Sequence, residues 1–150
     1  MGSVDGNIYH SQLHPKKSYD ENVIGQLVDH TAPVLSLSAH PHQSGLKSSD
    51  ISNLILSSSM DWSIRLWNPK RINRSVYTFE SAEDYVYDAQ WSPTHPSVFA
   101  SCDGEGNIDL WDIVKDIEAP YLKHKAEIHA IHKLKWSMDS RRILTGSAIG

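Results

Sequence analysis

An all-β chain built from repeated four-stranded antiparallel blades is what this 150-residue sequence predicts, and three observations carry that prediction. Turn-forming pairs recur along the whole chain: His14-Pro15, Ala32-Pro33, His40-Pro41, Asn68-Pro69, Ser92-Pro93, His95-Pro96, Asp103-Gly104 and Ala119-Pro120. Between them lie short runs rich in β-branched and aromatic side chains, each about four to seven residues long. No segment sustains the i, i+3, i+4, i+7 spacing of a helix for three turns. The third observation is that the runs repeat. Met60 to Asn68 lines up with Gly104 to Asp112 at an offset of 44, and Val86 to Ser92 with Ile131 to Ser137 at an offset of 45. A period of about 40–45 residues with four short strands is the signature of a propeller blade.

In chain order, residues 1–29 read as the end of a preceding blade plus a loop. Asp5-Gly6-Asn7-Ile8-Tyr9 matches Asp61-Trp62-Ser63-Ile64-Arg65, which makes residues 3–9 a third strand. Residues 30–79 form one blade, with strands at Leu54-Ile55-Leu56 and Ser63 to Trp67. Residues 80–124 form the next, with strands at Tyr85 to Trp91 and Asn107 to Trp111. Residues 125–150 hold the first two strands of another. Polar, Ser-rich or Lys-rich insertions fall between Ser11 and His30 and between His42 and Asn53. Ile64 and Leu66 share one face of their strand, while Ser63, Arg65 and Trp67 share the other. Both faces need partners if each sheet is wedged between neighbours.

Composition narrows the function. Five Trp, six Tyr and 39% hydrophobic residues exclude disorder. No apolar run approaches the roughly 18 residues of a membrane span, and the first six residues lack the pattern of a signal peptide. The single cysteine, Cys102, points to a reducing, cytoplasmic setting. A net charge of −4 argues against nucleic acid as partner.

The segment Ser59 to Asn68, Ser-x-Asp-x-Ser-Ile-x-Leu-Trp-Asn, resembles a WD repeat. The second copy carries the Trp111-Asp112 pair that names the family. More narrowly, Ser57 to Trp67, Asp84 to Pro96 and Phe99 to Trp111 resemble the C-terminal region of the cytoplasmic dynein intermediate chains. The resemblance implies a partial β-propeller, incomplete at both ends, of about three blades from a family ring of six or seven. It implies a non-catalytic scaffold of the dynein motor complex, associated with the cytoskeleton. Its partners would be the dynein heavy chain and other dynein subunits, with no cofactor, metal or small-molecule substrate and no membrane insertion. A scaffold of another complex, an axonemal dynein or a trafficking coat, is the alternative.

The family's buried hydrogen-bond chain maps onto His30, Ser57 or Ser59, Asp61 and Trp67. On paper Asp61, His30 and Ser57 also resemble a hydrolase triad, but no nucleophile turn or oxyanion donor accompanies them. Two departures stand in the second blade: Glu105 replaces Asp61, and Ala82 replaces His30. Trp62 sits in a turn where this repeat has a small or polar residue. It is either an exposed anchor for a partner or folded onto the next blade. Tyr85 and Tyr87 line a channel or a rim. The pairs His40-x-His42 and His129-x-x-His132 are joined by no cysteine pair or Glu-containing metallopeptidase motif, and the latter two point to opposite faces if residues 128–134 form a strand. Gly104-x-Gly106 reads as a hairpin turn and Cys102 as a small core residue. The runs Lys70 to Arg74 and Lys123-His124-Lys125 read as coats on inter-blade loops.

Overall fold

Strands in the computed structural model pair antiparallel with their neighbours in sequence, and no α-helix occurs among the described residues, 1–11, 23–41, 53–70, 73–80, 82–126 and 129–149. β1 (Asn7–Ser11) and β2 (Val23–Val28) form a hairpin. β3 (Val34–Ala39), β4 (Ile55–Ser59), β5 (Ile64–Trp67) and β6 (Ser75–Phe79) form a four-stranded meander. β7 (Val86–Trp91), β8 (Val98–Asp103), β9 (Asn107–Asp112) and β10 (Leu122–Lys125) form a second. β11 (Ile131–Trp136) and β12 (Ile143–Ser147) form a final hairpin. This is a partial β-propeller. Residues 12–22 and 42–52, the bulk of the two polar insertions, lie outside the described residues, as do Arg71 and Ile72 of the Lys70 to Arg74 run.

The alternation of β5 explains the architecture. Ile64 and Leu66 join Leu56 and Phe79 against Val86, Ala89, Trp91, Phe99 and Trp111 of the following sheet. Trp67, on the opposite face, packs with Ile8 and Leu27 of the preceding hairpin. Each four-stranded sheet is therefore apolar on both sides, and each buried Ile or Leu contributes about 1.5–3 kcal/mol. The seam between the two meanders is aromatic. Phe99 and Trp111 stack at 5.7 Å, and Phe79 meets each of them edge-on. At the last seam, Ala100 and Cys102 pack against Ile131 and Leu134.

The first strand of each unit carries the same irregularity. Pairing skips Leu35 in β3, Tyr87 in β7 and His132 in β11. These are equivalent bulges, each leaving one residue out of its ladder. The three first strands lie side by side without pairing to one another, and side chains join them. Ser36 Oγ accepts the Ala89 amide at 3.1 Å, Ser38 Oγ accepts the Trp91 amide at 3.2 Å, and Asp88 Oδ2 accepts the Leu134 amide at 3.1 Å.

Three readings of the sequence are corrected. The strand placed at residues 3–9 runs instead from Asn7 to Ser11, because Gly6 adopts a φ of 83° and turns the chain before it. Lys123-His124-Lys125 lies in β10 rather than in a loop. That strand is the outer edge of its sheet and wholly exposed, where charged side chains discourage further pairing. His129 precedes β11, so the opposite-faces argument does not apply to it.

Candidate functional site

Trp67, Ser57, His30 and Asp61 form one continuous hydrogen-bond chain. The indole can only donate and the carboxylate can only accept, which sets its direction. Trp67 Nε1 donates to Ser57 Oγ at 2.8 Å, Ser57 Oγ donates to His30 Nε2 at 2.6 Å, and His30 Nδ1 donates to Asp61 Oδ2 at 2.7 Å. The chain ties β5 to β4, then to the segment entering β3, then to the β4–β5 turn. Asp61 also accepts the Thr31 amide, the Ser63 amide and the Ser63 hydroxyl. Burial pushes its pKa up, but the hydrogen bonds from His30 and Ser63 outweigh that and hold the carboxyl well below its usual range.

The acid dependence of stability follows in sign. The contribution of Asp61 is complete above the unfolded carboxylate pKa of about 3.9 and is lost as pH falls below it, through the lower folded value. Asp61→Asn is expected to flatten the acid limb of a stability-versus-pH curve measured by urea melts. An unchanged limb would assign acid sensitivity to other carboxylates.

Ser59, the other candidate for the relay, does different work. Its hydroxyl donates to the Ala32 carbonyl and accepts the Asp61 amide, both at 3.1 Å. The second meander reorganises this scheme. Trp111 Nε1 reaches Ser101 Oγ at 3.3 Å, and Ala82 stands where His30 would be. A small cavity lined by Ala82, Ser101, Asp103, Asn107 and Asp109 lies beside it. Glu105 is exposed and faces Lys125 at 3.5 Å. The turn's carboxylate comes instead from Asp103, the counterpart of Ser59, which accepts the Glu105 and Asn107 amides at 3.0 and 2.9 Å. The 44-residue offset that aligns Asp103 with Ser59 held this signal, which sequence reasoning passed over.

A second feature missed by the sequence is the set around Arg65. Its guanidinium lies 3.9 Å from both Asp61 and Asp29, and Asp29 accepts the Ser75 amide and hydroxyl. Asp112, beside Trp111, accepts the Val114 amide and lies 3.7 Å from Lys115. It sits away from the buried chain of the first meander.

Trp62 occupies the middle of the β4–β5 turn at a φ of 67°. In the two equivalent turns that position is Gly6, at 83°, and Gly106, at 81°. A bulky residue in this left-handed region is unfavourable by about 1–2 kcal/mol. The Asp61 contacts to Ser63 across the turn hold it there. The residue is 51% exposed rather than folded onto the next sheet. Trp62→Gly is expected to leave stability unchanged or raise it by up to about 1 kcal/mol, because relief of strain outweighs glycine's unfolded-state entropy. A clear loss in a urea melt would show that the indole contributes packing.

Tyr85 is exposed in the connection entering β7, with its ring 6.4 Å from Tyr87. Tyr87, at its bulge, packs on His132 at 4.5 Å. The remaining histidines do not converge. His40 donates from Nε2 to the Pro96 carbonyl and meets Trp91 edge-on, while His42 lies outside the described residues. Among the described residues no three His, Cys, Asp or Glu side chains form a metal-sized group. Cys102 is buried, its thiol donates to the Ile131 carbonyl, and desolvation pushes its pKa to about 12. That is the environment of an inert core thiol.

A family model described as "WD domain, G-beta repeat" matches residues 21–68 and 73–112. The cytoplasmic dynein 1 intermediate chain of Drosophila melanogaster is 36% identical over 151 residues, covering 100% of this chain and 22% of that protein. The chain thus spans about a fifth of the relative's length. A chain in the crystal structure of a mitotic checkpoint complex superimposes with a TM-score of 0.77 at 16% identity, over 97% of this chain and 41% of that one. At that identity the likeness is one of fold.

Proposed function

We propose that this chain, which belongs to the WD-repeat family, is a non-catalytic scaffold of the cytoplasmic dynein complex, associated with the cytoskeleton. Its propeller binds the dynein heavy chain and supports microtubule-based transport. The observation that carries this reading is the 36% identity to a dynein intermediate chain across the whole of the chain. The site geometry agrees with it. Ser57 accepts the Trp67 indole, spends its proton on His30 and is wholly buried, so it has no access to a substrate carbonyl. A buried relay of this kind holds three segments together, and partner recognition falls to the exposed turns.

Affinity purification of the tagged protein from its own cells, followed by mass spectrometry, tests the reading. Recovery of dynein heavy chain is the expected result. Recovery of an axonemal dynein or a trafficking coat instead would overturn it in favour of another scaffold.

A further inference from the structure

We infer that the end of the propeller bearing Trp62 is a docking face for a basic segment of a partner protein, with the Trp62 indole as its aromatic anchor. The inference deepens the scaffold reading above and rests on it. Antiparallel meanders put the β4–β5 turn, the β6–β7 connection and the β8–β9 turn at one end of the sheets. That end presents Trp62 and Tyr85, both exposed. Trp62 has no ring or cation against it among the described residues. Tyr121, an exposed aromatic at the opposite end, already carries Lys115 Nζ 4.2 Å over its ring.

Charge identifies the partner. The described residues at the Trp62 end include Asp5, Glu80, Glu83, Asp84 and Glu105, against Lys125, which is itself paired with Glu105. The opposite end mixes Lys115, Arg141 and Arg142 with Asp112, Asp116 and Glu118. An exposed indole rimmed by carboxylates suits a segment in which Arg or Lys alternates with apolar residues. Its cations meet the acids and lie over the ring, while its apolar residues cover the indole edge. The conformation of Trp62 adds rigidity. A turn fixed by Asp61, Ser63 and His30 presents the side chain in one direction, which lowers the ordering cost of binding.

The test uses the full chain and two labelled amphipathic peptides of alternating leucine, one with arginine and one with glutamate. Binding is read by fluorescence anisotropy at low and high salt. The arginine peptide is expected to bind, to weaken with salt, and to lose about tenfold or more in affinity to Trp62→Gly, the loss typical of an aromatic hot spot. Tyr121→Ala is expected to bind as the native chain does. Trp62→Gly changes no charge and suits the turn, so a melt confirms that it is folded. Equal affinity of Trp62→Gly, absence of binding, or preference for the glutamate peptide would overturn the inference. The dynein reading is scored separately. Trp62-dependent peptide binding without heavy-chain recovery upholds the face and removes the assignment. Heavy-chain recovery with Trp62-independent peptide binding does the reverse.

Discussion

Phe99→Ala is expected to cost about 3–5 kcal/mol, the range for removing a fully buried aromatic side chain. Phe99 is completely buried at the seam between the two meanders. It stacks on Trp111 with planes 9° apart and receives edge contacts from Phe79 at 5.1 Å and Trp91 at 5.6 Å. Its neighbours belong to both sheets, so the void opens between sheets rather than within one. No backbone ladder crosses there to hold them together. Urea unfolding followed by tryptophan fluorescence measures the cost. A loss below about 1 kcal/mol would mean that the seam relaxes to close the void. A change in the slope of the transition would mean that the two sheets no longer unfold together.

His30→Ala is expected to cost about 2–4 kcal/mol, and most of that is what it leaves behind. The substitution takes a partner from the buried Ser57 hydroxyl and from a carboxylate held in its charged form. The second meander supports this division of the cost. It folds with Ala82 at the same position, but its turn carboxylate, Asp103, is satisfied by the Glu105 and Asn107 amides and the Asn107 side chain, while Glu105 lies exposed beside Lys125. Adding Asp61→Asn to His30→Ala is therefore expected to cost less than the sum of the two single changes, because no orphaned charge remains. Strict additivity in urea melts would show that His30 acts by filling space rather than by pairing with Asp61.

Much of this architecture was legible in the sequence, for a plain reason. The repeat offsets align residues that do the same packing task, so Ile64 and Leu66 read as one face and Trp67 as the other before any coordinates. The choice between Ser57 and Ser59 was not legible. Residues two apart on a strand share a face, and only register decides which one the indole reaches; Ser57 lies opposite Arg65, two residues before Trp67. The bulges at Leu35, Tyr87 and His132 were hidden for a similar reason, because a bulge is a property of a pair of strands. The direction of Trp62 was undecided because tryptophan gives no sign of a left-handed turn. Gly6 and Gly106 at the equivalent positions carried that sign, and it went unread. Asp103 was passed over because Glu105 matched the expected slot in the alignment, while the carboxylate had moved two residues upstream.

The joints between first strands have a geometric consequence. Within a sheet, neighbouring strands keep a fixed separation of about 4.8 Å, set by the peptide group itself. Between sheets the spacers are side chains: the short hydroxyls of Ser36 and Ser38 at one joint, and the longer carboxylate of Asp88 at the next. The spacing of the sheets along their first strands therefore depends on a few side chains as well as on the apolar seams behind them. Lengthening one of these spacers is expected to widen its joint while leaving the ladders within each sheet intact.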